Sequence, residues 1–135
     1  MLVSADSEMR KKMPNKHYTQ VLHNENQKIL LDHVLWCSSP WRRLAGLQFH
    51  RPLNSGEGIL LVFNQDSRAA SSIHMFFVFF PIAAIWINSQ GMVTHKTLAL
   101  PWRPFYASPT PAQYVLETTP DFLDKIQIGD PVTFT

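Results

Sequence analysis

Hydrophobic positions crowd one stretch of the chain, Ile73 to Gly91 (IHMFFVFFPIAAIWINSQG), which holds no formally charged residue. Its residues are β-branched and aromatic, Phe76-Phe77-Val78-Phe79-Phe80 and then Ile85-Trp86-Ile87, which favours strands over a buried helix. A spanning helix needs about 20 mainly apolar residues. Here the run opened by Met75 stops at Asn88 and carries Pro81 in its middle, so burial in a folded core is expected. Pro81 has no amide to give to a ladder and divides the run into two strand segments. Asn88-Ser89-Gln90-Gly91 reads as a type I turn with its glycine in the left-handed position, closing a three-residue hairpin loop. That register sets Ile87 opposite Val93, Trp86 opposite Thr94 and Ile85 opposite His95. Both faces of the first hairpin strand are apolar, as in a strand covered on both sides.

The remaining pattern supplies partners for this hairpin. Tyr18 to Leu22 and Ile29 to Trp36 read as strands joined by the polar turn Asn24-Glu25-Asn26-Gln27. Ser38 or Ser39 before Pro40 is a helix start, since serine accepts from the orphan amides and proline fits the first turn. The helix is expected to run to about Leu47, with Trp41, Leu44 and Leu47 as its buried stripe and Arg42 and Arg43 at least partly outward. Gly46, late in it, allows a close backbone approach or ends the helix. Arg51 to Gly58 reads as a loop, Ile59 to Phe63 as a buried strand, and Asn64 to Ser72 as a polar connection. Met92 to Leu100 is a strand stopped by Pro101, and the proline-rich Trp102 to Pro111 is a surface loop. Tyr114 to Glu117 resumes as a strand, Thr119-Pro120-Asp121 starts a second helix with Phe122, Leu123 and Ile126 on its apolar side, and Val132 to Phe134 closes the chain.

At 135 residues, 45% hydrophobic and 16% charged, the chain suits one domain. The expected fold class is mainly β (α+β), a small compact β-barrel-like domain with two short helices over residues 18–135. Residues 1–17 are polar, collect Arg10, Lys11, Lys12 and Lys16, and are expected to form a flexible basic arm. One cysteine, Cys37, forbids an internal disulfide. With no signal-peptide pattern at the N-terminus, that fits a reducing cytoplasm. A net charge of +2 is too mild to argue for nucleic acid, and no transmembrane segment is expected.

Several blocks together resemble an uncharacterised bacterial and archaeal family, the domain of unknown function 192. They are Asn24-Glu25, then Arg43-Leu44-Ala45-Gly46-Leu47-Gln48-Phe49-His50, Glu57-Gly58-Ile59-Leu60-Leu61, His74 through Trp86, and Val115-Leu116-Glu117 with Ile128-Gly129-Asp130. The similarity spans about Val21 to Phe134. It departs from the family pattern at His50, where an arginine is expected and Arg51 is displaced by one, and at Ala83, where an aspartate is expected. The resemblance implies a compact, mainly β fold with short helices and no established activity, in a family whose members often carry an export signal or anchor.

Candidate chemistry is sparse. No tight HxH, HxxxH or CxxC spacing exists, so neither a metal nor another cofactor is expected. Cys37 precedes a helix start, which can lower a thiol's pKa, but a lone cysteine beside Trp36 also reads as a small buried residue. The carboxylates are scattered, and Glu117 is the one that sits inside a strand. Binding a small ligand or a protein partner is therefore ranked above catalysis, with Trp102, Arg103 and Tyr106 of the proline-rich loop as an aromatic and cationic platform. The same rings could instead lid the barrel end. Arg43, His50 and Arg51 near the first helix, with His74 and Glu117, complete the candidate ligand contacts. The alternative is a hydrolase or metal-dependent enzyme using His74 and Glu117.

Overall fold

A computed structural model describes residues 16–135, so the basic arm expected over residues 1–17 lies outside the described residues apart from its last two. Among the described residues the strands are β1 Tyr18–His23, β2 Ile29–Cys37, β3 Glu57–Ser67, β4 Ile82–Ile87, β5 Val93–Ala99, β6 Ala112–Thr118 and β7 Val132–Phe134. One α-helix, α1 Pro40–Ala45, and one 3-10 helix, Pro120–Asp124, accompany them. The strands form one sheet in the order β5-β4-β6-β3-β2-β1-β7. β2 and β3 pair in parallel and the other neighbours antiparallel. A parallel pair needs a long crossover, and α1 with the loop after it provides one. The fold is mainly β, as expected.

The sheet curls until its two ends meet at one corner. The amide of Val93 donates to the Asp130 carbonyl at 3.0 Å and that of Val132 to the Gly91 carbonyl at 2.8 Å. Gly91 is required there twice over. Its φ is +81°, and a Cβ on it would stand 2.7 Å from the Val132 carbonyl oxygen. The result is a half-barrel with an inner and an outer face. Side chains of β4 alternate between them. Ala83, Ile85 and Ile87 enter an inner cluster with Leu60, Leu116 and Phe122. Ile82, Ala84 and Trp86 enter an outer cluster with Cys37, Leu61 and Val115. The 3-10 helix and the residues after it plug the inner face through Phe122 and Ile126, both fully buried, and the Lys96 ammonium donates to the Leu123 and Ile126 carbonyls at 2.7 and 2.8 Å.

Four expectations change. Phe76 to Phe80 forms no strand: β4 already has β5 and β6 on its two edges, which leaves no ladder for the run to join. It crosses the outer face irregularly, with Phe77 at φ +59°, and Phe76, Phe77 and Phe79 end up exposed. Second, α1 stops at Ala45, capped by the Ser39 hydroxyl accepting from the Arg42 amide at 3.2 Å. Six residues are too few turns for a stripe at spacing three to face one way. Trp41 is 80% and Leu44 59% exposed, and Leu47 alone is buried, after Gly46 at φ +47° has redirected the chain. Third, a bulge falls between Trp86 and Ile87. Ile87 faces Val93 as expected, but Trp86 faces His95 and Ile85 faces Lys96, because the Thr94 hydroxyl turns to the Trp86 carbonyl at 3.3 Å. Finally, β3 continues through the polar residues Asn64 to Ser67.

Candidate functional site

Glu117 lies on β6, between Ile59 of β3 and Ala84 of β4. It follows Val115 on the same face and therefore projects toward the outer cluster. Only 5% of it is exposed. Among the described residues no hydrogen bond or ion pair reaches its carboxyl, and burial alone pushes its pKa up to about 8. A buried carboxylate with no donor is among the costliest groups a core can hold. What adjoins it is space, a cavity of about 220 Å³.

The cavity floor is the sheet at Leu61, Phe63 and Glu117, one wall is α1 and the turn after it, and the cover is the irregular segment carrying Ser72, Ile73, His74 and Val78. Gly46 keeps the wall thin beside the acid: a Cβ there would come 3.9 Å from Glu117 Oε1. The Trp86 indole pins the cover by donating to the Ser71 carbonyl at 2.8 Å. Arg43 is partly exposed, as expected, but its head group turns back onto the sheet. Its guanidinium donates to the Val62 carbonyl at 3.1 Å and lies over the Phe63 ring at 5.1 Å. Beyond Arg43 and Ala70 the cavity adjoins a wider hollow bordered by Asn64 and Gln65. Cys37, at the end of β2, is buried, and burial pushes its thiol up to about 11, with the Glu117 charge acting in the same direction. That thiol is protonated and unreactive at neutral pH.

The structure thus gathers Arg43, His74 and Glu117 around one cavity and leaves the other candidates elsewhere. His50 and Arg51 border a separate hollow with Tyr18 and His33, where Arg51 is tied to the Glu57 carboxylate at 3.0 and 3.2 Å. That pairing holds Glu57 below the usual carboxylate range. Trp102, Arg103 and Tyr106 do not line the Glu117 cavity. Their backbone braces its cover instead: Ile73 and Tyr106 exchange hydrogen bonds at 2.9 Å, and Met75 donates to the Arg103 carbonyl at 2.7 Å. The Tyr106 hydroxyl accepts from the Leu100 amide at 2.9 Å. Trp102 makes edge contacts with Phe77 and Phe79, centroids 5.0 and 5.5 Å apart, and Phe77 stacks on Phe49 at 4.8 Å. Among the described residues no three His, Cys, Asp or Glu side chains converge as a metal site would need, and no helix is long and apolar enough to cross a membrane.

The sequence model of the domain of unknown function 192, described as "Uncharacterized ACR", matches residues 20–134. The chain belongs to this family. Among its relatives, a UPF0127 protein of Thermococcus kodakarensis is 30% identical over 96 residues, covering 70% of this chain and 59% of that one. The chain therefore spans less than two thirds of that relative. A UPF0127 protein of Pyrococcus furiosus is 30% identical over 91 residues, covering 66% of this chain and 75% of its own length. Two bacterial crystal structures share the fold at a TM-score of 0.74. One, of unknown function, is from Novosphingobium aromaticivorans, 18% identical and covering 87% of this chain and 84% of that one. The other, provisionally named a transcription regulator, is from Sinorhizobium meliloti, 20% identical and covering 89% and 94%. At these identities the likeness is one of fold. In the sequence, the clearest signal for this cavity is Glu117, a charge placed inside the apolar strand β6. The sequence offered no sign that Ala70, Ser72 and Val78 would form the opposite wall, because the segment carrying them has no periodic structure to extrapolate.

Proposed function

We propose that this domain is a non-catalytic binding module whose ligand is a small molecule held in the cavity between α1, the outer sheet face and the segment around His74. The observation that carries this reading is Glu117, a buried carboxyl without a partner among the described residues, facing open space rather than packed side chains. Sites of this kind combine an apolar lining with a few convergent polar groups. Here Leu47, Leu61, Ile73 and Val78 supply the lining and Glu117, His74 and Arg43 the polar groups. At about 220 Å³ the cavity is below the roughly 300–1,000 Å³ of sites that enclose drug-sized molecules, so the ligand is small. The loop from Trp102 to Pro109 acts through the hydrogen bonds that hold the cover.

Methyl NMR with a panel of small amines, acids and alcohols tests this. Binding in the cavity shifts Leu47, Leu61 and Val78 methyl signals in the native protein and not in Ala70→Trp, which fills the mouth from an exposed position. Shifts confined to Trp102, Phe105 and Tyr106 would move the site to the loop.

A second reading rests on a specific observation too: His74 and Glu117, the pair named for a hydrolase, line the same cavity. A carboxyl pushed to about 8 keeps its proton at neutral pH and is poised as a general acid. Any hydrolysis found should then fall at least a hundredfold in Glu117→Gln; activity that survives the change belongs to another site or a contaminant.

A further inference from the structure

Resting on the ligand-binding reading above, the chemistry of the cavity walls narrows what the ligand is. Among the described residues Glu117 accepts no hydrogen bond and no cation draws its pKa down. A neutral hydroxyl or amide on β6 would serve a neutral ligand without the desolvation a carboxyl incurs. What a carboxylate adds is negative charge, and in a cavity that burial has largely withdrawn from solvent that charge is satisfied by a ligand cation donating two or three hydrogen bonds. The other end of the cavity has the opposite character. The Arg43 guanidinium spends one nitrogen on the Val62 carbonyl and one face on Phe63, and a guanidinium carries five N–H donors in a planar fork suited to a carboxylate or phosphate.

The sheet register measures the separation of these ends. Glu117 faces Ile59 on β3, and Arg43 is anchored at Val62, three residues along the same strand. At about 3.3 Å per residue the two anchor points lie on the order of 10 Å apart along the strand direction. Subtracting a hydrogen bond of about 2.9 Å at each end leaves a ligand of roughly 4 to 5 Å between its charged atoms, a chain of about three carbons. The wall between is apolar, Leu47, Leu61 and Val78. We propose that the cavity takes a short linear zwitterion, its ammonium at Glu117, its carboxylate at Arg43 and its methylenes against Leu47 and Leu61.

Two consequences separate this from generic cavity binding. An ammonium must meet the ionised carboxylate, so binding expels the Glu117 proton, and affinity rises as pH rises through the acid's own titration. With that midpoint near 8, the ionised fraction goes from about a tenth at pH 7 to about nine tenths at pH 9, a gain of roughly tenfold in affinity. The other ionisable groups lining the cavity are Arg43 on α1, cationic throughout, and His74 on the cover; the Cys37 thiol on β2, on which the Glu117 charge acts, is protonated until about 11. His74→Gln isolates the histidine's part, and the rise with pH should persist in it.

The probes are γ-aminobutyrate, butylamine, butyrate and butanol, followed by methyl NMR on the native protein, Glu117→Gln and Arg43→Gln, with Glu117→Met as a second variant should the glutamine fold poorly. The expected result is that γ-aminobutyrate binds tightest and butylamine next. Both should lose tenfold or more in Glu117→Gln, and Arg43→Gln should reduce γ-aminobutyrate to the level of butylamine. If butanol or butyrate binds the cavity as well as the amines, or if Glu117→Gln leaves the amines unaffected, the zwitterion is wrong while the cavity remains a binding site. If none of the four shifts the cavity methyls, both the ligand class and the cavity reading fall.

Discussion

The two faces of the same sheet are finished in opposite ways. The inner face is sealed by regular elements, the curl of seven strands and a 3-10 helix whose Phe122, with Ile126 just after it, fills the mouth. The Lys96 ammonium of β5 ends on the carbonyls of Leu123 and Ile126. The outer face is covered by a segment with no regular structure, held by the Trp86 to Ser71 bond and the Ile73 to Tyr106 exchange. Strand and helix packing repeats at fixed intervals and leaves few voids. A cover tied down at points can leave a hollow, and it is on this face that the chain keeps a carboxyl. The contrast teaches that Glu117 is tolerated by its surroundings rather than stabilised by them, as a site for something else would be.

Placing a second carboxylate on the inner face should break that symmetry most severely. Ala83 is fully buried in the cluster that holds Leu60, Ile85 and Leu116, so Ala83→Asp should cost at least about 3 to 5 kcal/mol, the scale of an uncompensated buried charge. Urea unfolding would show it as a lowered midpoint or no native baseline at all. Nearly as large is the effect of Glu117 itself on pH dependence. Its folded pKa of about 8 lies above the ordinary 4.5, so between those values the folded state holds a proton that the unfolded state has released. Stability is therefore greatest below the unfolded value, falls as pH rises through the window, and levels off above the folded one. The whole fall is about 3 to 5 kcal/mol. Glu117→Gln should flatten it and, at pH 8, melt higher than the native protein.

Smaller effects sharpen the comparison from the other side. Ile85→Ala on the inner face should cost about 2 to 4 kcal/mol. Phe79→Ser, at an exposed position on the outer cover, should change stability by about 0.5 kcal/mol or less. A large loss from Phe79→Ser would show the aromatic cluster with Phe49, Phe77 and Trp102 to be core.

Most of the inner face was legible in the sequence and most of the outer cover was not. Tyr18 to Leu22, Ile29 to Trp36, Ile59 to Phe63, Met92 to Leu100 and Tyr114 to Glu117 all fall on strands, because strand pairing turns an apolar pattern directly into burial. The Asn88 to Gly91 loop was equally readable, since only glycine accepts φ +81° at 2.7 Å from another carbonyl. Phe76 to Phe80 misled because composition alone looks the same in a strand and in an irregular cover, and only the occupied edges of β4 decide between them. Trp41 and Leu44 misled because a helix of six residues has no second turn to define a face. For the site, the sequence marked Glu117, His74 and Arg43 singly. What it did not contain was their distance, which depends on a crossover and on a cover held by backbone bonds between segments thirty residues apart.

The central claim is that Glu117 is a desolvated acid in an open cavity, with no partner among the described residues. A pH titration of its side-chain carboxyl carbon by NMR, assigned with Glu117→Gln, tests it most directly. The structure predicts a midpoint near 8, falling when γ-aminobutyrate is added. A midpoint near 4.5, the ordinary value, would mean that water or a protein cation already satisfies the carboxylate, and the cavity would lose the feature that marks it as a site.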